Sequence, residues 1–217
     1  MKAMAYIEQE YTTISSYATA ELVEKKSRFI GKVAPVKTKK EAEAFIQKIK
    51  KTYYDARHHV FAYIVRGERI ERCSDDGEPQ GTAGVPILEL LKKEEITDIC
   101  VVVIRYFGGT LLGAGGLVRA YTNATKLALL NAERVTYQDC KHLAFRFDYS
   151  LYGKIEHCLQ KNDIFPVHSN FLEKIELICF IPKGQAQSMC SLLFDELNGQ
   201  IEIKDLGDVF APISKRE

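Results

Sequence analysis

The sequence predicts an α+β chain of two domains, residues 1–135 and 136–217. Three observations carry that expectation. The first part holds 21 Lys and Arg against 17 Asp and Glu, and the second holds 9 against 12. The second part reads in the order β-α-β-β-α-β, a ferredoxin-like split βαβ unit. Eight of the fourteen glycines crowd into two segments of the first part, 74–84 and 105–121. No internal repeat makes one part a copy of the other.

Each element has a local reason. Residues 12–24 and 27–34 read as strands joined near Lys25-Lys26. Thr38 is a helix N-cap, with Glu41 three residues on completing a capping box. Ala42, Phe45, Ile46 and Ile49 follow at helical spacing as the buried stripe. Residues 58–66 alternate as a strand, and Gly67 turns the chain toward the loop Asp75-Asp76-Gly77-Glu78-Pro79. Residues 82–93 form a short apolar helix with Pro86 near its start, where proline is tolerated. Residues 98–105 are an apolar, β-branched run, expected at the centre of a sheet. Residues 117–133 form a helix with Leu117, Ala120, Tyr121, Ala124 and Ala128 inward and Arg119, Thr122, Asn123 and Lys126 outward. In the second part, strands at 143–149, 164–171, 173–181 and 201–209 alternate with helices at 151–161 and 184–197.

Composition narrows the class. The 217 residues are 46% apolar and 27% charged, which suits a folded chain rather than a disordered one. No apolar stretch reaches the length of a membrane span, and MKAMAYIEQEY lacks the apolar core of a secretory signal. A cytoplasmic protein with no membrane role is expected. The six cysteines are scattered without a Cys-x-x-Cys pair, so reduced thiols are expected rather than a zinc site or a disulfide scaffold.

The charge pattern suggests a partner. Residues 25–51 hold ten basic residues against Glu41 and Glu43. A patch of that kind attracts phosphates or an acidic protein surface. On the helix, Lys40, Lys50 and Lys51 are expected on the solvent side. Glycine before a helix start lets an anion approach backbone N–H groups. Gly113, Gly115 and Gly116, with Arg105, Arg119 and Lys126, are therefore candidates for anion or nucleic-acid binding. The segment lacks both the Gly-Lys-[Ser/Thr] of a P-loop and the Gly-x-Gly-x-x-Gly of a dinucleotide site. Asp75, Asp76 and Glu78, with His58, are candidates for acid–base chemistry, although Asp, Gly and Pro are also common turn residues. No metal or cofactor is expected. His58 and His59 are neighbours in a strand and point to opposite faces.

Four stretches together resemble the IMPACT family, most closely its bacterial YigZ-like branch. They are Ser27-Arg28-Phe29-Ile30-Gly31, Asp55-Ala56-Arg57-His58, residues 75–84, and residues 105–121. The resemblance implies a first domain like the β-α-β fold of a small-subunit ribosomal protein's second domain, shared with the fourth domain of elongation factor G. It implies a second domain similar to the ferredoxin-like fifth domain of that factor. It also links eukaryotic members to control of translation through a starvation-sensing kinase pathway that bacteria lack.

The function expected is a non-enzymatic, translation-associated regulator that binds RNA or a ribosomal surface through a basic face of the first domain. Two alternatives stand beside it. One is a hydrolase or phosphoryl-transfer enzyme using the acidic and glycine-rich loops. The other is a scaffold for a protein partner of the translation machinery.

Overall fold

The computed structural model describes residues 10–214. The N-terminal segment considered as a secretory signal lies almost wholly outside that range. The chain divides into two compact units, Tyr11–Val135 and a second beginning at Thr136.

The first unit is a five-stranded sheet covered on both faces. Its elements are β1 (Tyr11–Ile14), β2 (Ala18–Glu24), β3 (Ser27–Pro35), α1 (Lys39–Thr52), β4 (His58–Val65), β5 (Ile70–Ser74), α2 (Gly84–Lys93), β6 (Ile99–Tyr106) and α3 (Ala114–Leu130). The strand order is β2-β3-β6-β4-β5, and each neighbouring pair is antiparallel. The central β6 reads as a continuous apolar run because both its faces are covered. Ile99, Val101 and Val103 pack with α2 and α3. Cys100, Val102 and Ile104 pack with Ala42, Ile46 and Ile49 of α1. One helix thus covers one face and two helices cover the other.

Local chemistry sets the connections. Lys25 and Lys26 both have positive φ, 46° and 65°, the two-residue turn whose twist suits a hairpin. The Thr38 hydroxyl accepts from the Glu41 N–H at 3.2 Å. The Glu41 carboxylate reaches back to the Lys37 N–H at 2.7 Å, one residue before the position a capping box uses. The span expected as one strand over 12–24 breaks at residues 15–17, where Ser15 turns to bond Glu133.

The sequence pattern does not predict β5 as a strand. Its residues, Ile-Glu-Arg-Cys-Ser, are mostly polar because it lies at the sheet edge and is half exposed.

The second unit runs β7 (Arg134–Phe147), α4 (Tyr152–Lys161), β8 (Pro166–Phe171), β9 (Ile175–Pro182), α5 (Lys183–Glu196) and β10 (Glu202–Ser214). β9 lies between β7 and β8 and is antiparallel to both. β10 pairs β7. One face carries a core of Phe145, Phe147, Ile155, Leu177 and Leu193. β7 begins nine residues earlier than the strand expected at 143, and it carries the chain from one unit to the next.

Candidate functional site

The loop from Asp75 to Ala83 is organised by its own carboxylates. Asp75 accepts from the Gly81 N–H at 2.8 Å with one oxygen, and from Ala83 at 3.1 Å and Gly84 at 2.8 Å with the other. Ala83 and Gly84 open α2, and Ala83 brings no side-chain cap of its own. Asp75 therefore supplies negative charge where a helix start favours it.

Asp76 works at the other side of the loop. Its φ is +43°. One carboxylate oxygen pairs with Lys50 Nζ at 2.7 Å, and the other accepts from the His59 N–H at 2.7 Å. Burial pushes this carboxyl up, but Lys50 and the His59 N–H outweigh burial and hold it below the usual carboxylate range. The Asp76 carbonyl faces His58 Nδ1 at 2.9 Å, and the Tyr53 carbonyl faces His59 Nε2 at 2.9 Å. A carbonyl only accepts, so both ring nitrogens act as donors.

Glu78 joins the two glycine-rich segments. Its Oε1 accepts from Arg105 at 2.6 Å and from the Tyr121 hydroxyl at 2.7 Å. Arg105, next to last in β6 and on its α3 face, is 6% exposed and lies over the rings of Phe29 and Phe107. Its Nε is buried without a partner. Tyr121 is fully buried. Burial first, then the Glu78 carboxylate, pushes its hydroxyl well above the ordinary tyrosine value.

The glycine loop folds over the hairpin tip. A Cβ on Gly108 would lie 2.0 Å from the Lys26 carbonyl carbon, so only glycine fits there. The Gly108 N–H donates to Ser27 Oγ at 3.2 Å. Gly31 has the same constraint against α3, where a Cβ would meet the Ala124 oxygen at 2.5 Å. At the start of α3 the first intrahelical bond runs from the Leu117 N–H to the Gly113 oxygen at 2.9 Å. The N–H groups of Ala114, Gly115 and Gly116 therefore point out of the helix end. Gly113 supplies no side-chain cap.

The predicted site residues separate into buried and exposed sets. Asp75, Asp76, Glu78 and His58 are brought together with Lys50 and Arg105 at one end of the sheet, bonded to one another or to backbone. Helical spacing places Lys50 on the solvent side; in the structure it leans across to Asp76 instead. Arg105, a candidate to add charge for an anion, has its charge committed to Glu78. Other cations of residues 25–51 are also engaged. Arg28 makes two hydrogen bonds to Glu21, and the largely buried Lys32 reaches the Tyr17 hydroxyl at 2.7 Å and lies over the Tyr53 ring.

Lys40 and Lys51 are exposed on α1, and Arg119 and Lys126 are exposed on α3. These helices cover opposite faces of the sheet. The four side chains cannot form one basic face. Gly113 and Gly115 are exposed, and Gly116 is half exposed. Helical spacing marks Tyr121 only as an inward core residue. Its bond to Glu78 joins positions 43 residues apart and leaves no local signal. Arg105 does carry one, since it ends an apolar run buried on both faces. Among the described residues, no group of three or more His, Cys, Asp or Glu is placed to hold a metal. No described helix is long and apolar enough to cross a membrane.

The buried thiols resist ionisation in their settings. Burial pushes Cys179 up to about 12 and raises Cys100 further.

Comparison with known proteins adds a second line of observation. The family model described as the Impact N-terminal domain matches residues 25–129. A domain of unknown function, DUF1949, matches residues 145–200. IMPACT family member YvyE of Bacillus subtilis (strain 168) is 38% identical over 196 residues, covering 90% of each chain. IMPACT family member YigZ of Escherichia coli (strain K12) is 32% identical over 182 residues, covering 82% of this chain and 89% of its own. Protein IMPACT of Bos taurus is 33% identical over 98 residues, covering 42% of this chain and 30% of its own. A solved structure titled as that of a hypothetical protein aligns with a TM-score of 0.57 and 30% identity, covering 92% of this chain and 98% of its own.

Proposed function

Because the chain belongs to the IMPACT family, we propose that it is a translation-associated binding protein that engages RNA or a ribosomal surface through cations of the first unit. The observation that carries this reading is the division of charge. Asp75, Asp76 and Glu78 are each used in internal bonds, whereas Lys40 and Lys51 are exposed on α1. Lys25 and Lys26 are exposed at the hairpin tip against which Gly108 packs. The outward N–H groups at the start of α3 add a place for a phosphate beyond the glycine loop. Arg119 and Lys126 form a separate strip on the opposite side.

The family's eukaryotic members, linked to control of translation, support the cellular setting, and the cytoplasm is its natural place. We read the second unit as ferredoxin-like, supported by its order β10-β7-β9-β8. We read the first as like the second domain of a small-subunit ribosomal protein, on the resemblance alone. The domains are taken as 1–135 and 136–217. A protein partner of the translation machinery is the second reading. Phe107 and Leu111 favour it, because both project from the glycine loop, Leu111 at 83% exposure.

Retention of ribosomes and of structured RNA on filters tests the proposal. Binding at about 50 mM salt should fall steeply by about 200 mM through counterion release. Replacing Lys40 and Lys51 by Ala should reduce the salt slope by roughly 1 to 2. No retention at the lower salt defeats the reading. Nuclease-insensitive capture of a protein, lost on removing Phe107 and Leu111, favours the second reading instead.

A further inference from the structure

We propose that the cleft between α1 and the β4–β5 hairpin is a pocket for one unstacked RNA nucleobase. This rests on the RNA reading above and deepens it by naming the part of the ligand recognised. The cleft follows from unequal cover of the sheet. Two helices pack on one face, and α1 alone packs on the other. α1 sits over β4 and β6, and toward edge strand β5 it is joined by the Glu43–Arg72 pair. The result is a cavity of about 310 Å³ lined by Glu43, Gln47 and Lys50 from α1, and by Phe61, Tyr63 and Arg72 from the hairpin. That volume falls at the small end of ligand sites.

The lining suits a planar heterocycle better than a bare phosphate. Phe61 and Tyr63 lie two residues apart on β4 with ring planes within 13° and centroids 6.2 Å apart. The rings stack on one another and Tyr63 is buried, so the half-exposed Phe61 is the aromatic surface of the cleft, and every base offers a π-face to such a ring. The charges nearly cancel. The Lys50 ammonium is held by Asp76, and Arg72 stands 3.9 Å from Glu43. A free phosphate would meet the Glu43 carboxylate, whereas a base edge carries both donors and acceptors.

One hydrogen-bonding group of the lining is buried without a partner, and a second is exposed. Tyr63 is 1% exposed, and its hydroxyl is buried without a partner. A buried polar group left unpaired calls for a ligand or water to complete it. Gln47 is exposed in the same lining. An amide presents a donor and an acceptor side by side, the pattern that reads base edges.

Fluorescence anisotropy on the full chain tests this, with fluorescein-labelled single-stranded RNAs of about ten nucleotides, one for each homopolymer. The wild type should prefer one homopolymer by about 10-fold through base-edge hydrogen bonding, and Phe61→Leu should weaken that RNA by about 10-fold through lost stacking. Gln47→Ala, at an exposed position, should flatten the preference without lowering the melting temperature. Lys40→Ala with Lys51→Ala should weaken all four RNAs alike. Equal binding of all four, unchanged in Gln47→Ala and Phe61→Leu, overturns the pocket and leaves the RNA reading standing. Failure to bind any RNA at low salt removes that reading and the pocket with it.

Discussion

Removing the Glu78 carboxylate is the sharpest test of how the signature segments are held. Arg105 is almost wholly buried, donates to Glu78 at 2.6 Å, and already has its Nε unpaired. Glu78→Ala strands the guanidinium and leaves the Tyr121 hydroxyl without its acceptor. Breaking a buried pair by deleting one partner costs about 3–5 kcal/mol, because the remaining charge stays desolvated. At roughly 2–4 °C per kcal/mol for a chain of this size, the melting temperature should fall by about 6–20 °C. Adding Arg105→Met removes the stranded charge. The double variant should therefore recover at least about 1–2 kcal/mol relative to the sum of the singles, the coupling expected of directly bonded groups. Urea unfolding followed by near-ultraviolet circular dichroism measures both quantities, since Tyr121 reports from inside the network. Additive losses in the double variant, or a Glu78→Ala loss below about 1 kcal/mol, would refute the reasoning.

Other predictions follow from the same geometry. Gly108→Ala forces a Cβ into the hairpin backbone and should cost about 1–3 kcal/mol by overpacking. Gly115→Ala meets nothing within 4 Å and should be neutral or stabilising by up to about 1 kcal/mol in thermal melts. Asp76 has a depressed folded pKa, so its contribution is present above the unfolded value of about 3.9. That contribution is lost as pH falls below it, toward the folded value. A pH series of urea melts should show this acid loss, and Asp76→Asn should remove that component of it. Thr38→Ala deletes the hydroxyl that accepts from Glu41 and should cost about 1 kcal/mol by urea unfolding.

Much of the fold is legible because local patterns match tertiary placement. The stripe of Ala42, Ile46 and Ile49 lies against the sheet as its spacing implies. The run from Ile99 to Ile104 is central and buried on both faces. The unexpected pieces are those whose burial depends on distant chain. β5 has no apolar alternation to announce it, and its strand state is imposed by backbone pairing with β4. The polar beginning of β7, Arg-Val-Thr-Tyr-Gln-Asp, reads as a connection until its partners are known. The mixed α/β, two-domain organisation is legible from the order of elements and the change of charge. The antiparallel order of the first sheet is not, because no local residue states which strands pair.

The site shows the same limit in a form that bears on function. Sequence records which side chains carry charge, but it does not record which charges stay available. Asp75, Asp76 and Glu78 look like a reactive acidic cluster when written as a string. In space their bonds diverge. Asp75 starts α2, Asp76 ties α1 to β4, and Glu78 closes β6 onto α3. The basic run ties Lys50 and Lys32 to internal partners in the same way, and Arg28 to Glu21 at the surface. The residues these bonds leave outside, on which the proposed recognition rests, are Lys40 and Lys51 on α1 and the Lys25–Lys26 tip. The long motifs fix the scaffold on which that surface is displayed. Substitutions within Asp75–Gly84 should register first as lost stability, whereas substitution of the exposed Lys40 and Lys51 on α1 should register as lost binding at unchanged stability.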